Sequence, residues 1–146
     1  MKIYTVGHSN WDFADFLSIL LDFKICHLVD VRRYPTSSRF PHFNRTVIEQ
    51  AFSSRKEAIN YSFLGEELGG KRDIDYSHYM NSKQFLAGMN KLTEIAQNEN
   101  TCFMCAEKNY QNCHRKFIAE RFIQAGWQVY HIVDKSQAIS HQLSLL

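Results

Sequence analysis

No stretch of this 146-residue chain approaches the roughly 18 apolar residues of a membrane-spanning helix. The opening run Met1-Lys2-Ile3-Tyr4-Thr5-Val6-Gly7 has neither the apolar block nor the small-residue cleavage site of a signal peptide. The expected compartment is therefore cytoplasmic, and no membrane partner is expected. Four cysteines are too few for a disulfide scaffold, and in a reducing compartment they read as core, metal or redox residues. Neither sign of charge dominates: 17 Lys+Arg against 15 Asp+Glu leave a formal +2. That argues against a broad polyanion-coating surface and leaves room for a local basic patch. Repeats, low-complexity tracts and linkers are also missing. What remains, 45% hydrophobic and 22% charged, is the composition of an ordinary globular domain. At this length the chain buries roughly two-thirds of its unfolded surface without staples. A single α/β domain over residues 1–146 is expected, with a short tail at 135–146.

Apolar periodicity supplies the element order. Ile3 to Val6 reads as a buried strand ended by Gly7, and Ser9-Asn10-Trp11-Asp12 resembles a capping box with Asp in place of Glu. Phe13, Phe16, Leu17 and Leu20 share one helical face. Ile25 to Val31 reads as a second strand, and Pro35 and Pro41 bracket a loop from Arg32 to about Asn44. Val47, Ile48, Ala51 and Phe52 mark a second helix, followed by a strand over Ile59 to Leu64. Gly65 to His78 holds three of the six glycines and no apolar period, so a long loop is expected there. Ser82 caps a third helix with Phe85, Met89, Leu92 and Ala96 on one stripe. Thr101 to Met104 is a fourth strand, and Phe117, Ile118, Phe122 and Ala125 a fourth helix, stopped at Gly126. Val129 to Val133 is a fifth strand, and Ile139, Leu143 and Leu146 suggest a short terminal helix. The order βαβαβαβαβ predicts a mainly parallel central sheet of about five strands with helices on both faces, a Rossmann-like three-layer sandwich.

Ligands of such sheets bind outside the carboxyl ends of the strands. Gly7-His8-Ser9 follows the first predicted strand, Asp30-Val31-Arg32-Arg33-Tyr34-Pro35 closes the second, and Cys105-Ala106-Glu107 follows the fourth. The loop into the next helix ends Cys113-His114-Arg115. These residues are expected to collect at one rim. His8, Asp30, Glu107, Cys113 and His114 are the catalytic candidates, because imidazoles and carboxylates move protons and a thiol at a helix start is a potential nucleophile. Arg32, Arg115 and Ser37 are the substrate-binding candidates, since guanidinium groups hold phosphate or carboxylate bidentately. Each has a plain alternative: an Asp30–Arg32 structural ion pair, a buried Cys113, a surface Arg115, an ordinary surface loop around Ser37, Ser38 and Arg39. Arg33 is expected to face solvent, and Cys105 to be a small buried thiol. Cys26 and Cys102 read as packing thiols, while His27, His42, His78, His131 and His141 read as structural or solvated.

No Walker loop occurs, and Gly65-Glu66-Glu67-Leu68-Gly69-Gly70 puts two acids where a phosphate-cradling loop would not. Cys105, Cys113, His114 and His8 could together ligate zinc, but a C-x7-C-H spacing lacks the close pairs of zinc ribbons, so no metal site is assigned. No cofactor is named by any motif.

Taken in order, Thr5-Val6-Gly7-His8-Ser9, Asp30-Val31-Arg32 with Pro35 and Ser37, Leu64-Gly65-Glu66-Glu67-Leu68-Gly69-Gly70, Cys105-Ala106-Glu107 and Cys113-His114-Arg115 resemble the domain-of-unknown-function family numbered 488. The resemblance runs from about residue 3 to 134. It implies a compact α/β domain of Rossmann-like type and site positions at His8, Asp30, Arg32, Glu107, Cys113, His114 and Arg115, and it implies no particular reaction. Three functions remain open. The first is an enzyme acting on an anionic, phosphate-bearing substrate such as a nucleotide or nucleic-acid component. The second is a nucleic-acid-binding module without catalysis, suggested by Tyr34, Arg39, Phe40, His42, Phe43, Asn44 and Arg45. The third is a zinc-stabilised domain.

Overall fold

The alternation of apolar side chains along each strand sorts the core into two clusters. Ile3, Val29, Phe103, Cys105 and Val129 point to one side, while Val6, Leu28, Cys102, Met104 and Ile132 point to the other. A sheet buried on both sides follows directly. The computed structural model, which describes residues 1–54 and 59–143, shows a mixed α/β molecule with a six-stranded sheet. Its strands are β1 (Lys2–Gly7), β2 (His27–Asp30), β3 (Asn60–Phe63), β4 (Thr101–Cys105), β5 (Gln128–Asp134) and β6 (Gln137–Ser140), in the order β3-β2-β4-β1-β5-β6. All neighbours run parallel except β5 and β6.

The helices are α1 (Phe13–Asp22), α2 (Arg45–Ser53), the single-turn α3 (Gly65–Leu68) and α4 (Tyr76–Tyr79), then α5 (Lys83–Asn98) and α6 (Arg115–Gln124). Right-handed crossovers decide which face each covers. The chain moves from β1 to β2 to β3 in one direction, and α1 and α2 pack Phe16, Leu20, Ile48 and Phe52 into one cluster. It then returns from β3 to β4 and on to β5, and α5 and α6 pack Phe85, Leu92, Ile118 and Phe122 into the other. Phe16 and Phe85 are fully buried, so truncating either to alanine costs about 3–5 kcal/mol.

Four local expectations change. The cap of α1 is Asp12, whose carboxylate accepts the Asp15 N–H at 2.8 Å. Ser9 sits instead in a left-handed turn at φ 48°. The segment 65–78 is not a plain loop, because it contains α3 and the start of α4. Its glycines explain the missing apolar period: a Cβ on Gly65 would meet the Arg32 carbonyl at 1.8 Å, and one on Gly69 would meet the Arg33 backbone. The segment is selected for close approach to the chain after β2 rather than for amphipathic burial. The third change lies at the C-terminus, where Gln137–Ser140 pairs antiparallel with β5 as a sixth strand and Ile139 is a strand residue. Leu143 lies beyond that strand, and Leu146, the last residue of the expected terminal helix, lies outside the described residues. Finally, Pro41–Phe43 forms a turn of 3-10 helix within the Pro-bracketed loop.

Candidate functional site

Register places the strand ends beside one another: Gly7 faces Cys105 across β1 and β4, and Asp30 faces Met104 across β2 and β4. Backbone bonds carry the alignment past the strands, from His8 N–H to the Cys105 carbonyl, Ser9 N–H to Ala106 and Val31 N–H to Met104, each at 2.9 Å. Gly7 is required at this edge, because a Cβ there would lie 1.7 Å from the Glu107 carbonyl oxygen. Above the strand ends opens a cleft of about 1090 Å³. His8, Arg32, Ser37, Glu107, Cys113 and His114 all line it, and Cys105 joins them from the end of β4. Asp30 and Arg115 lie behind the cleft wall.

Asp30 is fully buried, and its carboxylate is saturated. Arg32 holds it in a fork, Nε to Oδ1 at 2.9 Å and Nη2 to Oδ2 at 2.7 Å, and the Tyr61 hydroxyl donates to Oδ2 at 2.5 Å. An anchored carboxylate of this kind orients the guanidinium instead of moving protons itself. Arg32 then presents Nη1 to His8 Nε2 at 3.3 Å. The network fixes the His8 tautomer, since Nδ1–H donates to the Ser9 carbonyl at 2.9 Å and leaves Nε2 as the acceptor. Burial, with Arg32 adding to it, lowers the His8 pKa to about 4, so the imidazole is neutral at pH 7. Its ring stacks on Phe43 at 4.4 Å between centroids.

Across the cleft, Cys113 Sγ lies 2.7 Å from Cys105 Sγ and 3.5 Å from both His114 Nδ1 and the Arg115 backbone nitrogen. The two sulfurs share a proton unevenly. The hydrogen bond between them, then His114 and the Arg115 N–H, draw the Cys113 pKa well below that of an ordinary thiol in spite of burial. Burial and the same bond push Cys105 up. Cys113 is therefore the more readily ionised of the two sulfurs, and Cys105 the one that keeps its proton more tightly. His114 donates from Nε2 to the Val31 carbonyl at 3.0 Å, which turns Nδ1 toward the sulfur. Gly70 packs against that imidazole, with its Cβ position 3.1 Å from Nδ1, so the glycine-rich segment holds the ring in place.

Arg115 is 1% exposed and faces away from the cleft. It donates to Thr5 Oγ1 at 2.9 Å and to the carbonyls of Glu107 and Lys108 at 2.8 and 3.2 Å. It thus clamps the loop between the two cysteines. Behind it runs a buried chain of polar groups: Thr5 Oγ1 to His131 Nδ1 at 2.5 Å, His131 Nε2 to His141 Nδ1 at 2.8 Å, and His141 Nε2 to Glu120 at 3.6 Å. One donor order satisfies its hydrogen bonds, Thr5 donating to His131 and His131 to His141 with both imidazoles neutral, while His141 Nε2 stops at 3.6 Å from Glu120, beyond hydrogen-bond reach. Burial lowers the His131 pKa to about 3. Ser37 accepts the Phe40 N–H at 2.9 Å and braces the Pro-bracketed loop. Glu107 is exposed at the rim.

The wall charge is lopsided. Seven Lys and Arg side chains line the cleft against two acids, Asp75 and Glu107, whereas the rest of the chain carries ten against thirteen. A cleft with this surplus concentrates anions. Residues that sequence reasoning did not single out for the site are Tyr61, Thr5, His131 and Tyr76, the last donating to the Leu68 carbonyl at 2.6 Å and tilted against the His114 ring at 5.4 Å between centroids. Thr5, Tyr61 and His131 lie within β1, β3 and β5 and Tyr76 opens α4, so no strand-end position signalled them. Among the described residues, no three His, Cys, Asp or Glu side chains gather as a metal ion requires, so a zinc-stabilised domain lacks a ligand set there. No helix is long and apolar enough to cross a membrane among those residues.

Comparison with known proteins returns no matching curated protein and no matching solved structure. A family model does match, over residues 12–122, a span that contains the second to fifth motifs and begins after His8. The chain belongs to the family described as domain of unknown function DUF488.

Proposed function

We propose that the protein is an enzyme acting on an anionic, phosphate-bearing substrate, a nucleotide or nucleic-acid component, in the cleft above the strand ends. One observation carries this: a cysteine in contact with a second thiol and an imidazole stands on the wall of a cleft whose lining holds seven basic side chains against two acids. The basic lining attracts the anion, and Arg32, held rigid by Asp30, offers its remaining N–H groups beside His8. Cys113 acts as nucleophile, its sulfur bonding to the electrophilic atom while the leaving group departs with its electron pair. His114 positions the thiolate, and Glu107 at the rim is the exposed carboxylate nearest in sequence to these groups. Asp30 and Arg115 serve as positioning residues. The same proposal takes residues 1–146 as one domain of Rossmann-like, three-layer form, acting in the cytoplasm.

The test is a thermal-shift panel of nucleoside mono-, di- and triphosphates, sugar phosphates and short oligonucleotides. Ligand at a hundred times its Kd adds about 2.7 kcal/mol of stability and raises Tm. Absence of any shift across the panel removes the reading's support.

A second possibility, nucleic-acid binding without catalysis, draws on the cleft's aromatic flank. Tyr34 is 58% exposed, with Arg33 over its ring at 5.9 Å, and Arg39 covers Phe40 at 5.4 Å. Rings and guanidinium groups arranged in this way suit stacked single-stranded bases. Salt-dependent binding of oligonucleotides with no turnover would favour it.

A further inference from the structure

We propose that Cys113 and Cys105 are a redox pair that closes to a disulfide when the cleft meets a hydroperoxide, switching off the nucleophile reversibly. The sulfurs are already in contact at 2.7 Å, and both border the cleft. Their surroundings divide the roles. Cys113 is half-buried and reachable, whereas Cys105 is 2% exposed at the end of β4, so an oxidant meets Cys113 first and Cys105 resolves. The other two cysteines are excluded as partners. Cys102 lies on the opposite face of the sheet, since strand alternation puts it in the other core cluster, and Cys26 hydrogen-bonds Lys24 before β2.

The chemistry balances in two steps. The Cys113 thiolate attacks one peroxide oxygen, the O–O bond breaks, and the departing alkoxide or hydroxide takes up a proton. Cys113 has then lost two electrons and become a sulfenic acid. Cys105 sulfur next bonds to Cys113 sulfur, its proton joins the leaving hydroxyl, and water departs. An external dithiol restores both thiols by exchange. The Arg115 clamp on Glu107 and Lys108 holds the segment between the cysteines, so the sulfurs meet without unfolding the strand end. The inference uses the same thiolate as the proposed enzyme but requires no substrate.

The experiment treats reduced full-length protein with a few equivalents of hydrogen peroxide, followed by thiol titration under denaturing conditions and peptide mass mapping without reductant. Titratable thiols are expected to fall from the four of the chain to two. The peptides carrying Cys105 and Cys113, separable by cleavage after Lys108, are expected to be linked with a loss of ~2 Da. Dithiothreitol is expected to reverse both changes. In Cys105→Ala, a dimedone adduct is expected on Cys113 and no link. A wild-type protein that keeps four thiols, or that accumulates a dimedone-reactive Cys113 without the link, overturns the proposal. The phosphate-ligand panel on reduced protein separates the two ideas: a disulfide in a protein that binds no such ligand leaves the switch standing and removes the proposed substrate.

Discussion

Two grooves of similar size flank the sheet edge nearest β3 and the strand ends, and only one of them gathers thiols and imidazoles. The groove between α2, β3 and α5 measures about 800 Å³ and is lined by Arg45, Glu49, Lys91 and Glu94 among polar and apolar groups. Its charges balance, and its cations are engaged: Arg45 pairs with Glu49 at 2.6 Å, and Lys91 reaches Glu67 at 3.3 Å. The cleft above the strand ends is somewhat larger, holds a five-charge surplus, and adds two thiols and two imidazoles. Volume does not distinguish the two. What distinguishes them is that the cleft sits where parallel strands deliver their last residues, so buried groups such as Asp30 and Cys105 can shape the charge and reactivity of the wall.

The largest expected contrast is chemical. An ordinary thiol slows in alkylation about tenfold for each pH unit below its pKa of about 8.5. Cys113, whose ionisation Cys105 and His114 favour, should label with iodoacetamide at nearly the same rate at pH 6 as at pH 8, as followed by mass spectrometry. A roughly hundredfold slowing over that range would put Cys113 with ordinary thiols and erase the difference between the grooves.

The next contrast is energetic. Asp30→Ala leaves a buried guanidinium unpaired and should cost roughly 3–5 kcal/mol in urea unfolding. Glu49→Ala removes an exposed i,i+4 pair and should cost at most about 0.5 kcal/mol. Comparable losses would break the distinction between a built wall and a decorated one.

Acid sensitivity should also trace to the cleft side. His8 and His131 are neutral when folded, with pKa values of about 4 and 3, but titrate near 6.5 when unfolded. The unfolded chain therefore binds more protons between these values. Stability is full above about pH 6.5 and falls as the pH drops toward 4 and then 3, by at most about 1.4 kcal/mol per pH unit for each group. His131→Gln should flatten the slope of urea stability between pH 6 and pH 4.5, and an unchanged slope would show that the buried chain behind Arg115 does not contribute it.

The smallest expected effect is on ligand affinity. Arg33→Ala and Lys71→Ala on the cleft should each weaken phosphate-ligand binding by a few-fold, and more at low salt. Lys91→Ala in the other groove should leave it unchanged. Calorimetric titration at two salt concentrations reads the difference.

The parallel sheet and the gathering of His8, Arg32, Glu107, Cys113 and His114 were legible because both follow from chain order: strands alternate with helices, and parallel strands end on one side. Side-chain direction was not. Arg115 opens a helix, as a phosphate-binding arginine would, yet packing turns it to Thr5 and the Glu107 carbonyl. Asp30 and Arg32, two residues apart, satisfy one another once Tyr61 from β3 completes the shell, a long-range contact no local pattern encodes. The glycines of Gly65 to Gly70 announced an irregular segment but not its reason, which is contact with Arg32, Arg33 and His114. The sixth strand went unread because four residues gain their form from antiparallel pairing with β5 rather than from their own pattern.

Protection of Cys113 from alkylation joins the two halves of the account, the anion and the thiolate. Reduced protein labelled with iodoacetamide at pH 6.5, with and without saturating nucleotide or sugar phosphate, should show slowed modification of Cys113 in the presence of at least one ligand, with Cys26 unaffected. Equal labelling of Cys113 with every phosphate ligand in the panel would contradict a cleft in which the basic wall and the thiolate serve one substrate.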